Sequence, residues 1–483
     1  MLLLYFGNRV HRSLPYPPGP RKLPLLGNLL DFPLSFSWET YARWSKDHNS
    51  DIIHLRAAGR DFIVLNSLTA ATDLLDKKSV IYSGSMGWNW VFSAMPYGER
   101  WKQRRRLFQQ YFSNRNVASY RIKELKFVRK ALCRLLDHPN DLFGIIRHSI
   151  GGVAISLAYG LKIRDSNDLF INLAERALQT ALEATLPGAF LVDFIPWLKY
   201  VPEWMPGAGF QKKARMWKKL QEEMHELPYS EAVKNLASGT ADPSLTSNSL
   251  EKLDDSLNVE HQEEIIKDTA GIVFAAGTDT TMAAMQTFFA AMLCYPEVQK
   301  NAQAELDRVL EGRMPEFDDE PNLPYLSVVI KEVMRWKPVV PLGVPHQVTD
   351  DDVYEGYHIP KGAFVIANAW AMLQNEEDYP DPSSFKPERF LTPDGQLNPA
   401  VRDPNLMAFG FGRRICPGSN VALSLLWIWI ASFLTTFDIS NPLDDDGVPV
   451  DPSINHPLPF KCTIKPRSKA SEELIRSQVH TDI

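Results

Sequence analysis

Residues 409–418 read Phe-Gly-Phe-Gly-Arg-Arg-Ile-Cys-Pro-Gly and place one cysteine, Cys416, in a turn framed by glycines. Gly412 and Gly418 permit backbone angles and close approaches that a side chain would prevent, and Pro417 favours the first turn of a helix. An apolar run follows, so the turn leads into a buried helix. A thiolate stabilised there by backbone N–H groups is suited to bind a metal ion. The alternative is a buried, inert cysteine, which is the commoner fate of a lone cysteine.

Composition and charge exclude several classes of protein. The chain has 483 residues, of which 45% are hydrophobic and 23% charged, as in ordinary globular proteins. Its net charge of −6 argues against nucleic-acid binding. The four cysteines, Cys133, Cys294, Cys416 and Cys462, are far apart and form no C-x-x-C pair. Neither a zinc site nor a disulfide framework is therefore predicted, and a reducing compartment is expected.

The longest predicted helix covers residues 261–293 and has an unusual centre. Residues 275–281 read Ala-Ala-Gly-Thr-Asp-Thr-Thr, and glycine, aspartate and β-branched hydroxyl residues all lower helix stability. Thr280 can hydrogen-bond to a carbonyl one turn earlier, and Gly277 leaves space against a flat cofactor. The centre of the helix therefore predicts a pocket, whereas a helix kinked for packing reasons is the alternative.

A helix predicted from Glu99 has two distinct faces. Trp101 and Arg105 are four residues apart and share one of them. Such a pair is more often packing and surface charge than a site. Four basic residues leave a second surface, which is either a docking face for an acidic partner or a solvated charge run: Lys102, Arg104, Arg106 and Arg115.

Two further patterns occur in the second half of the chain. Glu332 and Arg335 are three apart in a helix predicted over residues 323–336, and Arg389 follows within Pro-Glu-Arg-Phe. An exposed pair of this kind contributes only about 0.3 kcal/mol and has no meaning alone. His346 lies on the next predicted strand, where a histidine is more often structural.

Together these patterns resemble those of the cytochrome P450 family. The cysteine stretch matches Phe-x-x-Gly-x-Arg-x-Cys-x-Gly, and the helix centre matches Ala-Gly-x-Asp-Thr-Thr. The Trp-x-x-x-Arg, Glu-x-x-Arg and Pro-Glu-Arg-Phe patterns occur in the family's order, and the resemblance covers residues 17–465. It implies a mainly α-helical fold with small β-sheets and haem between the long central helix and the cysteine loop. Within the family, the sequence is most similar to basidiomycete microsomal monooxygenases of secondary metabolism.

The resemblance implies the cofactor and the residues that bind it. The cofactor would be haem b, iron protoporphyrin IX, with Cys416 as the axial ligand of the iron. The indole of Trp101 and the guanidinium of Arg105 would bind the haem propionates. The same cofactor-binding set includes four further residues: Arg414, His346, Phe409 and Gly410.

Catalytic and structural roles follow from the same resemblance. Asp279 and Thr280 would deliver protons to oxygen bound at the iron. Glu332, Arg335 and Arg389 would form a buried network that serves folding and haem retention rather than chemistry.

The implied activity is insertion of one oxygen atom from O2 into a C–H bond of a small lipophilic substrate, such as a terpenoid. Gly410-Phe411-Gly412 lacks the third glycine and the preceding strand of a dinucleotide fingerprint, so electrons would come from a separate NADPH-dependent cytochrome P450 reductase. Cytochrome b5 is a further candidate donor, and a monomer is expected. The alternatives are a haem-thiolate isomerase or dehydratase and a degenerate haem-binding protein from an incomplete gene. Asp279 and Thr280 favour oxygen activation.

The ends of the chain are expected to lie outside the haem domain, which is predicted over residues 21–465. Residues 1–14 hold a short apolar run and a basic flank, fewer than the roughly 20 apolar residues that span a bilayer. With the proline-rich hinge at 15–20, they resemble a truncated membrane anchor, which predicts the cytosolic face of the endoplasmic reticulum membrane. A signal peptide is the alternative. Residues 466–483 are expected to form a polar tail, frayed from Lys465 onward.

Several segments are expected to face substrate or membrane. The loop at 83–98 and the segment at 450–456 are expected to contact substrate, and both are shorter than in the fungal relatives. Residues 339–344 are expected to line the pocket. Residues 186–207 are rich in tryptophan and proline, and either dip into a membrane interface or lie in the core.

The remaining predictions concern secondary structure. Ser67 is predicted to cap a helix that reaches residue 75, and residues 237–255 are predicted to be a flexible connection. Helices are predicted over residues 38–46, 121–159, 168–184 and 417–433, a hairpin over 52–55 and 62–65 with its turn at 58–60, and a β region over 457–464.

Overall fold

The computed structural model describes residues 14–478 except 34, 58, 86–89, 114–115, 186–189, 194–195 and 442–459. The anchor predicted over residues 1–14 lies outside the described residues apart from Leu14, and so does the substrate-facing segment at 450–456. The proline hinge is described, and it is fixed to the β-sheets. The N–H of His54 donates to the carbonyl of Pro18, that of His358 donates to Pro15, and Tyr16 stacks on the His54 ring.

Helices form most of the described fold. In chain order they are α1 Ser37–Asp47, α2 Leu68–Ala71, α3 Ser79–Tyr82, α4 Glu99–Phe112, α5 Val117–Asp137, α6 Leu142–Tyr159, α7 Leu169–Thr185, α8 Gly209–Ala237, α9 Leu245–Leu250, α10 Val259–Cys294, α11 Pro296–Leu310, α12 Pro324–Trp336, α13 Ala369–Leu373, α14 Asn405–Ala408, α15 Ser419–Thr436 and α16 Lys469–Ser477. The mainly α-helical fold with small sheets is confirmed.

The strands form three small sheets in the described part of the chain. They are β1 Ile52–Ala57, β2 Arg60–Leu65, β3 His346–Gln347, β4 Asp352–Tyr354, β5 Tyr357–Ile359, β6 Phe364–Ala367, β7 Phe437–Ser440 and β8 Thr463–Pro466. The largest sheet has the order β1-β2-β6-β3, with β2 parallel to β6 and the other pairs antiparallel. The predicted hairpin is confirmed, with Leu55 opposite Phe62.

Helix α10 runs through the middle of the core. It packs on α6, α4 and α15, and its centre is buried on most sides. Phe288 and Phe289 are fully buried, and Phe289 meets the edge of Phe433 on α15 at a ring distance of 4.9 Å. Complete burial of one such side chain stabilises the fold by about 3 kcal/mol. The apolar residues that predicted long helices thus also hold the centre of the molecule together.

Among the described residues, two helical segments are long and apolar enough to cross a membrane, judged by length and composition. They are Pro139–Tyr159 and Ser419–Thr436, and 72% and 67% of the respective apolar windows are buried inside the molecule. Both therefore serve as core helices.

Three sequence predictions are wrong in detail. Residues 121–159 form two helices rather than one run, because the chain turns between His138 and Asp141, where Pro139 breaks the hydrogen-bond ladder. Residues 237–255 are not simply a flexible connection, since they contain α9. This helix is fixed by a capping box between Ser244 and Ser247 and by the burial of Leu245.

The expected fraying from Lys465 onward is also wrong over the described part of that segment. Lys465 belongs to β8, and residues 469–477 form α16. The side chain of Ser468 caps α16 by accepting from the N–H of Ser471, and Ile475 is fully buried against the core. Because most residues of this segment are polar, the sequence analysis did not predict the apolar face of α16.

Glu124 is a buried acid between α5 and α15. One carboxyl oxygen accepts from the hydroxyl of Ser424 at 2.6 Å, while the other has no hydrogen-bond partner among the described residues. Burial raises the pKa of Glu124 to about 8, and the Ser424 bond and Arg121 offset only part of that rise. The folded protein therefore carries this glutamate in its protonated form at neutral pH.

Stability is expected to fall as pH rises, because Glu124 resists ionisation only in the folded state. The unfolded side chain loses its proton near its ordinary pKa of 4.5, whereas the folded one keeps it until about 8. Relative to wild type, Glu124→Gln should gain roughly 3 kcal/mol of unfolding free energy between about pH 5 and pH 8. Urea unfolding across that range measures the gain. Parallel curves for the two proteins would contradict it, and the exposed Glu222→Gln is the control.

Candidate functional site: a cysteine loop and two arginines

The loop before Cys416 depends on glycine backbone geometry. Gly410 and Gly412 have φ angles of +80° and +56°, in the left-handed region that other residues rarely adopt. A Cβ atom on Gly412 would lie 2.1 Å from the carbonyl oxygen of Leu75, so only glycine fits this close approach. No atom lies within 4 Å of a Cβ on Gly410. The predicted helix after the loop is present as α15, but it begins at Ser419 with Gly418 as its N-cap, so Pro417 lies just before the first turn rather than in it.

Cys416 is held at the end of this loop by its own backbone. Its N–H donates to the carbonyl of Phe409 at 2.8 Å. Burial raises the pKa of the thiol, and the backbone N–H groups of Gly418 and Ser419 together with Arg105 lower it without cancelling that rise. A further positive charge is therefore needed to make the thiolate the stable form, and a bound metal ion supplies one.

The metal ion would need other ligands than side chains. Among the described residues, no group of three or more histidine, cysteine, aspartate and glutamate side chains is arranged to hold a metal. A single cysteine fits an iron ion whose remaining ligands come mostly from a macrocycle such as haem.

A buried guanidinium group, Arg105, and a half-buried one, Arg414, lie beside the cysteine loop. Arg105, on α4, donates to the carbonyl of Ile415 at 2.6 Å. Arg414 donates to the carbonyls of Ser83 and Met95, both at 2.7 Å. Within the described residues neither arginine has a carboxylate within ion-pair distance, although other buried arginines of the molecule have one.

The two arginines lie close enough for their positive charges to repel each other. Burial, reinforced by the charge of Arg105, lowers the pKa of Arg414 to about 10. Burial also lowers the pKa of Arg105, and Cys416 partly offsets that change. Two like charges that are largely removed from water and have no carboxylate partner among the described residues are unfavourable, so this arrangement fits an anionic group, and the two carboxylates of haem would satisfy it.

Aromatic rings and a histidine complete this region. The Arg414 guanidinium lies 4.8 Å from the centre of the buried Trp101 ring, and Trp101 packs at 5.1 Å on Tyr97. His346, on β3, is buried, and its Nδ1 is 2.8 Å from the carbonyl oxygen of Tyr82. Burial and the charge of Arg414 lower its pKa to about 4 despite that bond, so the ring is neutral at pH 7.

The centre of α10 opens on one side. Ala276 and Thr280, one turn apart, are exposed in a helix whose neighbouring residues are mostly buried. The hydroxyl of Thr280 donates to the carbonyl of Ala276 at 2.7 Å, as the sequence predicts. This face of α10 therefore presents a hydroxyl and a methyl group to accessible space.

Asp279 is paired with a residue that the sequence analysis missed. Its Oδ1 accepts from Arg147 on α6 at 2.7 Å, and the Nε of Arg147 lies 3.7 Å from Glu175 on α7. Arg147 is the only arginine or lysine in α6, and that lone charge in an otherwise apolar helix was the available signal. Among the described residues, Asp279 pairs with α6 and Thr280 bonds within α10, and neither has a hydrogen bond or ion pair with the cysteine loop.

Glu332, Arg335 and Arg389 come together behind the site. Arg335 donates to both carboxyl oxygens of Glu332 at 2.7 and 2.8 Å, and Arg389 donates to one of them at 3.2 Å. Arg335 also donates to the carbonyls of Leu373 and Ser384, so its buried charge is well satisfied. Glu332 and Arg335 are completely buried. This is a fully partnered network of the kind that a folded interior tolerates.

The basic surface predicted on α4 is smaller than expected. The prediction that Arg104 belongs to this surface is wrong, because Arg104 is completely buried and ion-paired with Asp268. Lys102 and Arg106 are exposed, and Arg115 lies outside the described residues.

Known proteins match nearly the whole chain. The family model of cytochrome P450 matches residues 17–464. The cytochrome P450 monooxygenase ple1 of Rhodocybe pseudopiperita is 47% identical over 95% of this chain and 91% of its own length. Cytochrome P450 monooxygenase 98 of Postia placenta is 44% identical over 98% and 94%, and the tryptamine 4-monooxygenase of Psilocybe cyanescens is 41% identical over 98% and 97%. The chain therefore belongs to the cytochrome P450 family and is a haem-thiolate monooxygenase.

Proposed function

We propose that this monooxygenase inserts one atom of O2 into a C–H bond of a small lipophilic secondary metabolite of the terpenoid class. The observation that carries the haem site is the pair Arg105, which is buried, and Arg414, which is half-buried, beside Cys416; neither has a carboxylate partner among the described residues. Exposed valines support an apolar pocket, since Val340 and Val344 lie in the segment predicted to line it. All of these residues belong to one chain, so a monomer suffices.

The residues of the chain have separate tasks in this proposal. Haem supplies the redox chemistry of O2 activation when it is bound. Cys416 would hold the haem iron with a thiolate, and Arg105, Arg414 and Trp101 would bind the haem carboxylates. Thr280 would present its hydroxyl to the pocket, and Asp279 would act with it in proton delivery. The ion pair with Arg147 holds the Asp279 carboxylate in place, so this pair must loosen before Asp279 can take part in proton transfer.

Removal of the Thr280 hydroxyl tests the proton-delivery role. Thr280→Ala is expected to release reducing equivalents as hydrogen peroxide and to lower product formed per NADPH by roughly tenfold or more. Peroxide and NADPH are measured together in the protein reconstituted with a fungal reductase. The matched control is Thr287→Ala, which changes a buried threonine further along the same helix, α10. Unchanged coupling in Thr280→Ala would remove this residue from the mechanism.

We propose an NADPH-dependent cytochrome P450 reductase as the electron donor, with cytochrome b5 as an alternative donor. Lys102 and Arg106 support an acidic partner, because both are exposed on the helix whose other face carries Arg105. Electron transfer through such a contact slows as salt rises. A first-electron transfer rate that is independent of ionic strength would contradict this docking surface.

We further propose that the segment at 186–207, of which 190–193 and 196–207 are described, lies in the membrane interface at the cytosolic face of the endoplasmic reticulum. Core burial of this segment is wrong for its described tryptophans, because Trp197 and Trp204 are 65% and 81% exposed. Leu191 and Tyr200 are exposed beside them, and Phe194 lies outside the described residues. Tryptophan and tyrosine favour the interface between headgroups and hydrocarbon.

Introduction of negative charge into this apolar surface tests the membrane proposal. For the double variant Trp197→Glu/Trp204→Glu, binding to vesicles of phosphatidylcholine and phosphatidylinositol is expected to fall by roughly tenfold or more. Vesicle flotation measures the partition coefficient. The control is Ile122→Glu, which changes a similarly exposed apolar residue on α5. Equal partition of the double variant and wild type would place the membrane contact elsewhere.

A further inference from the structure

A buried cluster outside the cysteine loop joins four parts of the chain. The ring of Trp90 stacks on that of His225 from α8, with centres 4.5 Å apart and an angle of 16°. The Nε2 of His225 lies 3.1 Å from Oδ1 of Asp268 on α10, an ion-pair distance whose angle falls short of a hydrogen bond. The other oxygen of Asp268 accepts from the Nε of Arg104 on α4 at 2.7 Å.

The cluster is shaped for close contact. Arg104, Asp268 and His225 are 0%, 2% and 7% exposed. A Cβ on Gly271 would lie 2.9 Å from Cδ2 of His225 and 3.1 Å from Cζ3 of Trp90, so glycine leaves room for the stacked rings. Buried charges of this kind are rarely stabilising in themselves, which makes a positioning role the better account of them.

Both ends of the cluster lead to the arginines of the haem site. At one end, Trp90 precedes the short turn Phe92–Ala94, and the carbonyls of Phe92 and Met95 accept from Arg414 at 3.3 and 2.7 Å. At the other end, Arg104 precedes Arg105, which donates to the carbonyl of Ile415 next to Cys416. His225 lies between the two routes, because it contacts both Trp90 and Asp268.

We propose that His225, on α8, is a positioning residue for haem binding. It acts on Arg414 through Trp90. It acts on Arg105 through Asp268 and Arg104. The proposal rests on the proposed haem-binding role of these two arginines. His225 itself touches neither the haem nor the substrate. Loss of its contacts should let the segment after Trp90 and the start of α4 shift. The arginines would then hold the haem carboxylates less firmly and change the electrostatic field at the iron.

Three substitutions separate the two contacts of His225. His225→Phe keeps the stack on Trp90 and loses the contact with Asp268, His225→Gln keeps a polar group near Asp268 and loses the stack, and His225→Ala loses both. His48→Ala, at an exposed histidine, is the control. Each haem-loaded protein is tested for transfer of haem to apomyoglobin and for its midpoint reduction potential, neither of which needs a substrate.

The expected result is roughly tenfold faster haem loss in His225→Ala, with a shifted potential, and intermediate values for the phenylalanine and glutamine variants. The control should match wild type. If His225→Ala takes up no haem, the other two variants decide the outcome. Wild-type rates and potentials in all three would overturn the proposal. The carbon monoxide spectrum of the reduced wild type tests the haem-thiolate site separately, so failure of that site is distinguishable from failure of the positioning role.

Discussion

Replacement of Cys416 by serine is expected to remove the red-shifted Soret band that the reduced wild-type protein shows with carbon monoxide. The thiolate donates electron density to the iron, and a serine hydroxyl at the same place does not. Oxygen insertion should fall by roughly three orders of magnitude or more, because that electron density favours O–O cleavage. The spectrum and the product yield with a reconstituted reductase measure the two effects.

The other cysteines provide the control for Cys416. Cys462 is half-buried, and burial raises the pKa of its thiol to about 11, so it is an unreactive thiol. Cys462→Ser should keep the thiolate spectrum and the activity. A Cys416→Ser protein that binds haem and still shows the red-shifted band would show that another residue is the ligand.

Replacement of Glu332 by glutamine is expected to have the second large effect, on folding and haem content. The change keeps the size of the side chain but removes the negative charge that two buried guanidinium groups share. The loss of one partner from a buried ion network costs about 3–5 kcal/mol. The N–H of Lys386 also donates to Glu332, so the segment that leads to Arg389 should loosen as well.

Chemical unfolding and the haem-to-protein ratio measure this effect. Glu222→Gln is the matched control, since it removes one carboxylate from an exposed pair with Lys218 on α8. Its unfolding free energy should stay within about 0.5 kcal/mol of wild type. A Glu332→Gln protein as stable as the control would mean that the interior charges are solvated or compensated in some other way.

Local patterns predicted many elements correctly, for identifiable reasons. Residues 261–293 carry enough apolar residues at helical spacing to define α10 within two residues at either end. Ser67 caps α2 by accepting from the N–H of Ala70, although the helix changes to a wider π-type turn at Thr72–Lys77 before residue 75 is reached. The cap is a short-range contact, so sequence alone can predict it.

Elements that depend on distant contacts were predicted less well. α9 has only six residues and a polar sequence, and it is held by burial against the core, with Thr246 donating to the carbonyl of Ala158 on α6. α16 is likewise fixed by one buried isoleucine. Neither contact leaves a periodic signal long enough to recognise, because tertiary packing outweighs local propensity in short helices.

The sequence by itself determined the family, the cysteine loop and the mainly α-helical fold, because these depend on residue types at fixed spacings. Only the tertiary structure decided which charges are buried and with which partners. Arg104 and Arg105 are adjacent, yet one pairs with Asp268 and the other donates to Ile415 beside Cys416 without any carboxylate among the described residues. Asp279 pairs with Arg147, which lies on another helix and 132 residues earlier in the chain. Burial and counter-charges arise from the packing of distant segments, and no local pattern encodes them.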